Sequence, residues 1–106
     1  EVTSDESYDK QIKAANDAGN LAVVDFSAKW CGPCKVVTPV YAQLSTLYPQ
    51  AKFLKVDIDE PELERTVINN GIASVPTFVF IKDGEEKVKF SGADVAKLKE
   101  SLDKLA

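Results

Sequence analysis

Residues 21–26 read Leu-Ala-Val-Val-Asp-Phe, apolar at every position but Asp25, and no other segment limits the possible folds as strictly. A short, β-branched run without polar alternation predicts a central strand buried on both faces. Such a strand must be covered by a layer on each side, and the flanking sequence supplies the helices for it. Ahead of the run, Thr3-x-x-Glu6 has the form of a capping box. Tyr8, Ile12 and Ala15 follow at helical spacing, and Gly19-Asn20 closes that segment.

Beyond the run, a helical stripe of Val36, Val37, Val40, Leu44 and Leu47 extends to about residue 47, with Pro39 inside it as a predicted kink. Residues 53–58 predict a second strand. Asp59-Glu60-Pro61-Glu62 then opens a helix with acids and a proline in its first turn. Its apolar face is Leu63, Val67 and Ile68, and Asn70-Gly71 stops it. Residues 77–81 and 85–91 form a strand pair joined by Asp83-Gly84, a hairpin turn sequence. Gly92 precedes a last helix with Val95, Leu98, Leu102 and Leu105 inward. A short strand near Val2 completes the prediction. The fold class is α/β: a central mixed sheet of four to five strands flanked by four helices in a three-layer sandwich, as one domain over residues 1–106.

The chain has 106 residues, 44% of them hydrophobic, 28% charged, with a formal net charge of −4 and no basic run. Nucleic acid and anionic membrane surfaces are therefore poor partners. No apolar stretch approaches the roughly 18 residues of a membrane span, and no signal-peptide pattern is present. The expectation is a cytoplasmic protein, with processing ahead of Glu1 left open.

The only two cysteines fall in Trp30-Cys31-Gly32-Pro33-Cys34, flanked by Lys29 and Lys35, between the first strong strand and the helix that follows. A disulfide closing so small a loop contributes only about 2 kcal/mol, so a purely structural bridge is a weak explanation. With no histidine, the pair supplies neither a closed zinc site nor a Cys-His nucleophile. Redox exchange remains. At a helix N-terminus the free N–H groups and the dipole favour thiolate, and Lys35 adds positive charge. Cys31 is expected at the exposed edge as the attacking thiol, with Cys34 deeper as the resolving one. Gly32 allows a tight turn there, and Pro33 is tolerated in the first helical turn.

A strand carboxylate ordinarily marks a solvated face. Asp25 is instead surrounded by Val23, Val24 and Phe26, so burial should raise its pKa and suit it to take the Cys34 proton. Val75-Pro76-Thr77 is either an edge-strand opening or a cis bond held against the cysteines.

These residues together resemble the thioredoxin family, most closely its eukaryotic cytosolic type. The likeness is carried by Asp25-Phe26, the whole loop from Trp30 to Lys35, Pro39, Lys55-Val56-Asp57, Val75-Pro76-Thr77 and Gly92. Disulfide isomerases typically place His where Pro33 stands, and glutaredoxins place Pro-Tyr between the cysteines. Ser27 and Phe90-Ser91-Gly92-Ala93 look eukaryotic, and Ser74 stands where some animal members carry a further cysteine. The resemblance implies a protein-disulfide reductase with Cys31 as nucleophile, Cys34 as resolving thiol, and Asp25 assisted by Lys55 in handling the proton. It implies a cis Pro76, a Val75 backbone offered to an extended substrate, and an apolar docking surface of Trp30, Gly32, Pro33, Val75, Pro76, Gly92 and Ala93. No cofactor or metal would be bound; electrons would come from NADPH through thioredoxin reductase, and the chain would act as a monomer on disulfide-containing clients. Lys55 has the plainer reading of a solvated strand residue. Two rival functions stand beside the reductase: an oxidase or isomerase of secretory compartments, against which Pro33 argues, and a binding module gated by redox state.

Overall fold

The computed structural model describes residues 1–106. The chain runs α1 (Asp5–Asp17), β1 (Ala22–Ser27), α2 (Gly32–Leu47), β2 (Lys52–Asp57), a 3₁₀ turn (Pro61–Leu63), α3 (Glu64–Asn69), β3 (Thr77–Lys82), β4 (Glu85–Ser91) and α4 (Val95–Leu105). The strands form one sheet in the order β2-β1-β3-β4. β1 pairs parallel with β2 and antiparallel with β3, and β3 pairs antiparallel with β4. The hairpin turn has Asp83 at φ 55° and Gly84 at φ 78°, the pair of left-handed residues its sequence promised.

Each face of the sheet carries its own core. Val23, Phe78 and Phe80 pack with Val37, Tyr41 and Leu44 of α2 and with Leu98 and Leu102 of α4. Val24, Phe26, Leu54, Val56 and Val79 pack on the other side with Tyr8 of α1 and with Leu63. Every residue of β1 is buried, as the unbroken apolar run requires. Each of the large buried side chains contributes about 1.5–3 kcal/mol. The result is a four-stranded mixed sheet between two helical layers.

Five sequence expectations are corrected. There is no strand near Val2: its buried side chain joins the core and its N–H donates to the Lys55 carbonyl at 2.9 Å, but that single bond starts no ladder. The cap of α1 is Ser4, whose hydroxyl accepts from the Ser7 N–H, one residue later than the predicted Thr3 box. On α2 the buried face is Cys34, Val37, Tyr41 and Leu44, whereas Val36 is 69% exposed and Leu47 also faces out. On α3 it is Thr66 that is buried while Ile68 is exposed, and on α4 Val95 is 38% exposed. Adjacent apolar residues cannot both face inward on a helix, and packing against the sheet selects one of them. α2 itself runs through Pro39 without interruption. No helix is long and apolar enough to cross a membrane.

Candidate redox site

β1 ends at Ser27, and the turn after it delivers Cys31 to the N-cap of α2. Cys31 and Cys34 form a disulfide with Cα atoms 5.3 Å apart, well inside the usual range. The Cys34 N–H donates to Cys31 Sγ at 3.1 Å. An anion at that sulfur therefore meets a free helix N–H and the positive end of the helix dipole. Pro33 sits in the first turn, where its missing N–H costs nothing.

The expected contrast in exposure between the two cysteines is not found. Cys31 is 4% and Cys34 2% exposed; Ala28 packs with both, and Ile58 and Val75 close over them. Surroundings distinguish them instead. Cys31 Sγ lies 3.8 Å from the Val75 carbonyl oxygen. Cys34 lines an inner cleft of ≈ 390 Å³ together with Thr38, Lys55, Asp57, Lys29 and Lys35. Gly32 has ordinary helical φ, and a Cβ there would meet nothing within 4 Å. It serves no left-handed turn; its lack of a side chain leaves the surface beside Cys31 open.

The Val75–Pro76 bond is cis. The Gly92 N–H donates to the Pro76 carbonyl at 2.8 Å, with Gly92 at φ 98°, a conformation that disfavours any side chain. Val75 thus lies against the cysteines, and Gly92 is tied to the buried Pro76 that follows Val75. Trp30 is 67% exposed, and its indole N–H donates to Asp59 at 2.7 Å.

Asp25 is fully buried, and neither carboxylate oxygen has a hydrogen-bond partner. Burial pushes its pKa up to about 6, with the Lys55 charge partly opposing. Lys55 is its direct partner in the parallel register. The Lys55 ammonium, however, donates to the Thr38 hydroxyl at 3.1 Å and not to the carboxylate. Tyr41 also faces this region: its hydroxyl lies 2.9 Å from the Val23 and 2.6 Å from the Leu54 carbonyl oxygen. Burial first, and the Asp25 charge second, hold the Tyr41 pKa well above its ordinary value.

Sequence reasoning missed Thr38, Tyr41 and Asp59. The first two had a signal, since both lie at i+4 or i+7 from Cys34 on one helical face. Asp59 is 29 residues from Trp30 and had none. No group of three His, Cys, Asp or Glu side chains could hold a metal ion.

The Thioredoxin family model matches residues 1–104. The chain belongs to the thioredoxin family. Among curated relatives, thioredoxin H4-2 of Oryza sativa subsp. japonica is 41% identical over 99% of this chain and 78% of its own length. The mitochondrial thioredoxin O1 of Arabidopsis thaliana is 40% identical over 98% of this chain and 54% of its own. Among solved structures, Fasciola hepatica thioredoxin superposes with a TM-score of 0.91 at 38% identity, covering 99% of this chain and 97% of that one. Oxidised thioredoxin O1 of A. thaliana gives 0.89 at 40% identity, covering 98% and 94%. The fold is accordingly the thioredoxin fold. With its redox-active pair in place, the chain is a thiol–disulfide oxidoreductase acting on protein disulfides. Its chemistry runs on the two cysteines and requires no bound cofactor.

Proposed function

We propose that this thioredoxin works as a reductant of client disulfides, with its residues in the following roles. The Cys31 thiolate attacks a client disulfide; a Cys31–client bond forms and one client sulfur leaves with the electron pair. Asp25 takes the proton of Cys34, through water in the cleft. The Cys34 thiolate then attacks Cys31 Sγ, the mixed disulfide breaks, and the second client sulfur leaves and is protonated. Two electrons pass to the client and the Cys31–Cys34 disulfide remains. Lys55 moderates the Asp25 charge. Trp30, Gly32, Pro33, Val75, Gly92 and Ala93, with Pro76 supporting them, form the docking surface around Cys31.

The observation that carries this reading is the unpartnered, buried Asp25 carboxylate, on the face of β1 that α2 covers. A structural disulfide needs no such group, whereas a resolving thiol needs a base within reach. Pro33 between the cysteines supports reduction over oxidation or isomerisation. NADPH and thioredoxin reductase are the electron source in this proposal, the cytoplasm is its setting, and residues 1–106 act as one monomeric domain.

Replacing Cys34 by serine tests the order of events. C34S should accumulate a stable mixed disulfide through Cys31 with a disulfide-bonded protein and turn over no further. The wild-type protein should reduce the same substrate continuously with NADPH and thioredoxin reductase. Retention of partners by a chain lacking both cysteines, with no catalysed reduction by the wild type, would replace this reading with the redox-gated binding module.

A further inference from the structure

Asp25 and Lys55 are opposite each other on adjacent strands, yet the carboxylate accepts no hydrogen bond and the ammonium lies within ion-pair distance of no carboxylate. A buried carboxylate and a neighbouring ammonium would ordinarily close on each other. What holds them apart is on α2. The Thr38 hydroxyl donates to the Cys34 carbonyl one turn back, at 2.8 Å, which fixes its rotamer and leaves an oxygen lone pair directed at β2. The Lys55 ammonium donates to that lone pair at 3.1 Å. A single hydroxyl thus connects the backbone of the resolving cysteine to the only cation set beside the acid.

We propose that Thr38 is a positioning residue: its hydroxyl parks the Lys55 ammonium against the Cys34 turn of α2 and so keeps the Asp25 carboxylate free to take the Cys34 proton. The inference rests on the reading of Asp25 as that base. It follows from how little else faces the carboxylate. β2 contributes Lys55, α2 contributes the Tyr41 hydroxyl, and β3 sets the uncharged Phe78 opposite it. Lys29, Lys35, Asp57 and Glu1 line the cleft farther out. Of these lysines, Lys55 is the one that stands opposite Asp25 and whose flexible stem is held by a hydroxyl.

Without the hydroxyl, the ammonium is released toward the one buried anion in reach. An opposite charge brought into contact lowers a carboxylate pKa by about one unit or more. A base weakened in that way removes the Cys34 proton more slowly.

The experiment follows the Asp25 carboxyl carbon by NMR through a pH titration of the oxidised protein, in which neither cysteine titrates, alongside the pH profile of disulfide reduction. Thr38→Val should move the Asp25 midpoint down by about one pH unit, with the lower inflection of the activity profile moving with it. Thr38→Ser, which keeps the hydroxyl, should stay at the wild-type midpoint. In a Lys55→Met background, Thr38→Val should move nothing further. An unchanged or raised midpoint in T38V, a serine variant that behaves like the valine one, or an undiminished effect without Lys55 would each overturn the assignment. Asp25→Asn separates this from the underlying reading. If D25N leaves the inflection of the activity profile in place, Asp25 is not the base. If D25N removes the inflection while T38V leaves the midpoint untouched, the base stands and the role given to Thr38 falls.

Discussion

Asp5 and Asp25 are both aspartates set against the sheet layers, and the molecule treats them in opposite ways. Asp5, in the first turn of α1, accepts the Thr66 hydroxyl at 2.5 Å and the Thr66 N–H at 2.9 Å, with Arg65 at 4.0 Å. The Thr66 hydroxyl is the main cause of a pKa held below the ordinary carboxylate value; the Thr66 N–H and Arg65 add to it against the cost of burial. Asp25 has no hydrogen-bond donor from the protein, and burial drives its pKa up to about 6. Asp5 ties α1 to α3 and is finished as an anion. Asp25 is left unfinished, and an unfinished buried acid is one that can still exchange a proton near neutral pH. The difference separates a structural carboxylate from one placed for chemistry.

The comparison breaks most visibly if the two residues are neutralised in turn. Asp25→Asn should slow disulfide reduction at pH 7 by about 100-fold. It should also stabilise the fold there by about 2–3 kcal/mol, the equivalent of the shift from 3.8 to about 6. Asp5→Asn should lower stability and leave reduction unchanged. Stopped-flow reduction assays and urea unfolding of the two variants check both halves, and equal effects on rate would erase the distinction.

The pH dependence of stability sharpens it. A raised folded-state pKa means that the native state binds the extra proton, so the Asp25 contribution is favourable below about pH 4 and is lost as pH rises through about 6. The stability advantage of Asp25→Asn should therefore be full above pH 6 and gone by about pH 4. For Asp5 the folded pKa is depressed. Its contribution is present above the unfolded value near 4 and is lost only as pH falls further. Thermal melts of wild type and both variants between about pH 3 and 8 should show slopes of opposite sign. The smallest effect expected is from Lys55→Met, which removes the one charge opposing burial at Asp25. Its Asp25 midpoint should rise by a fraction of a unit, and a fall would show that Lys55 does not act on it through charge.

How much of this was legible in the sequence differs from residue to residue. Asp25 could be read as buried because its neighbours Val23, Val24 and Phe26 left it no exposed face. Cys31 could be placed at a helix start because strand and helix patterns met there. Val36 and Val37 could not be told apart, since neighbouring apolar residues fit one helical stripe equally and only the sheet beneath selects Val37. The burial of Cys31 was also hidden, because Val75 and Ile58 arrive from distant parts of the chain to cover it. Thr38 stood in plain view one turn after Cys34. Its importance exists only because β2 lies beside α2 and brings Lys55 to it.

The place of β1 inside the sheet has a mechanical consequence. Its backbone is bonded along both edges, to β2 and to β3, so its amides are released only by openings that take the sheet apart. The cysteines sit at the N-cap and first turn of α2, where local fraying needs far less. The electron-carrying pair is thus mounted on a part of the molecule that can breathe, and the proton acceptor on the part that opens last. Client thiols can come and go at the rim while the carboxylate keeps its place in the sheet.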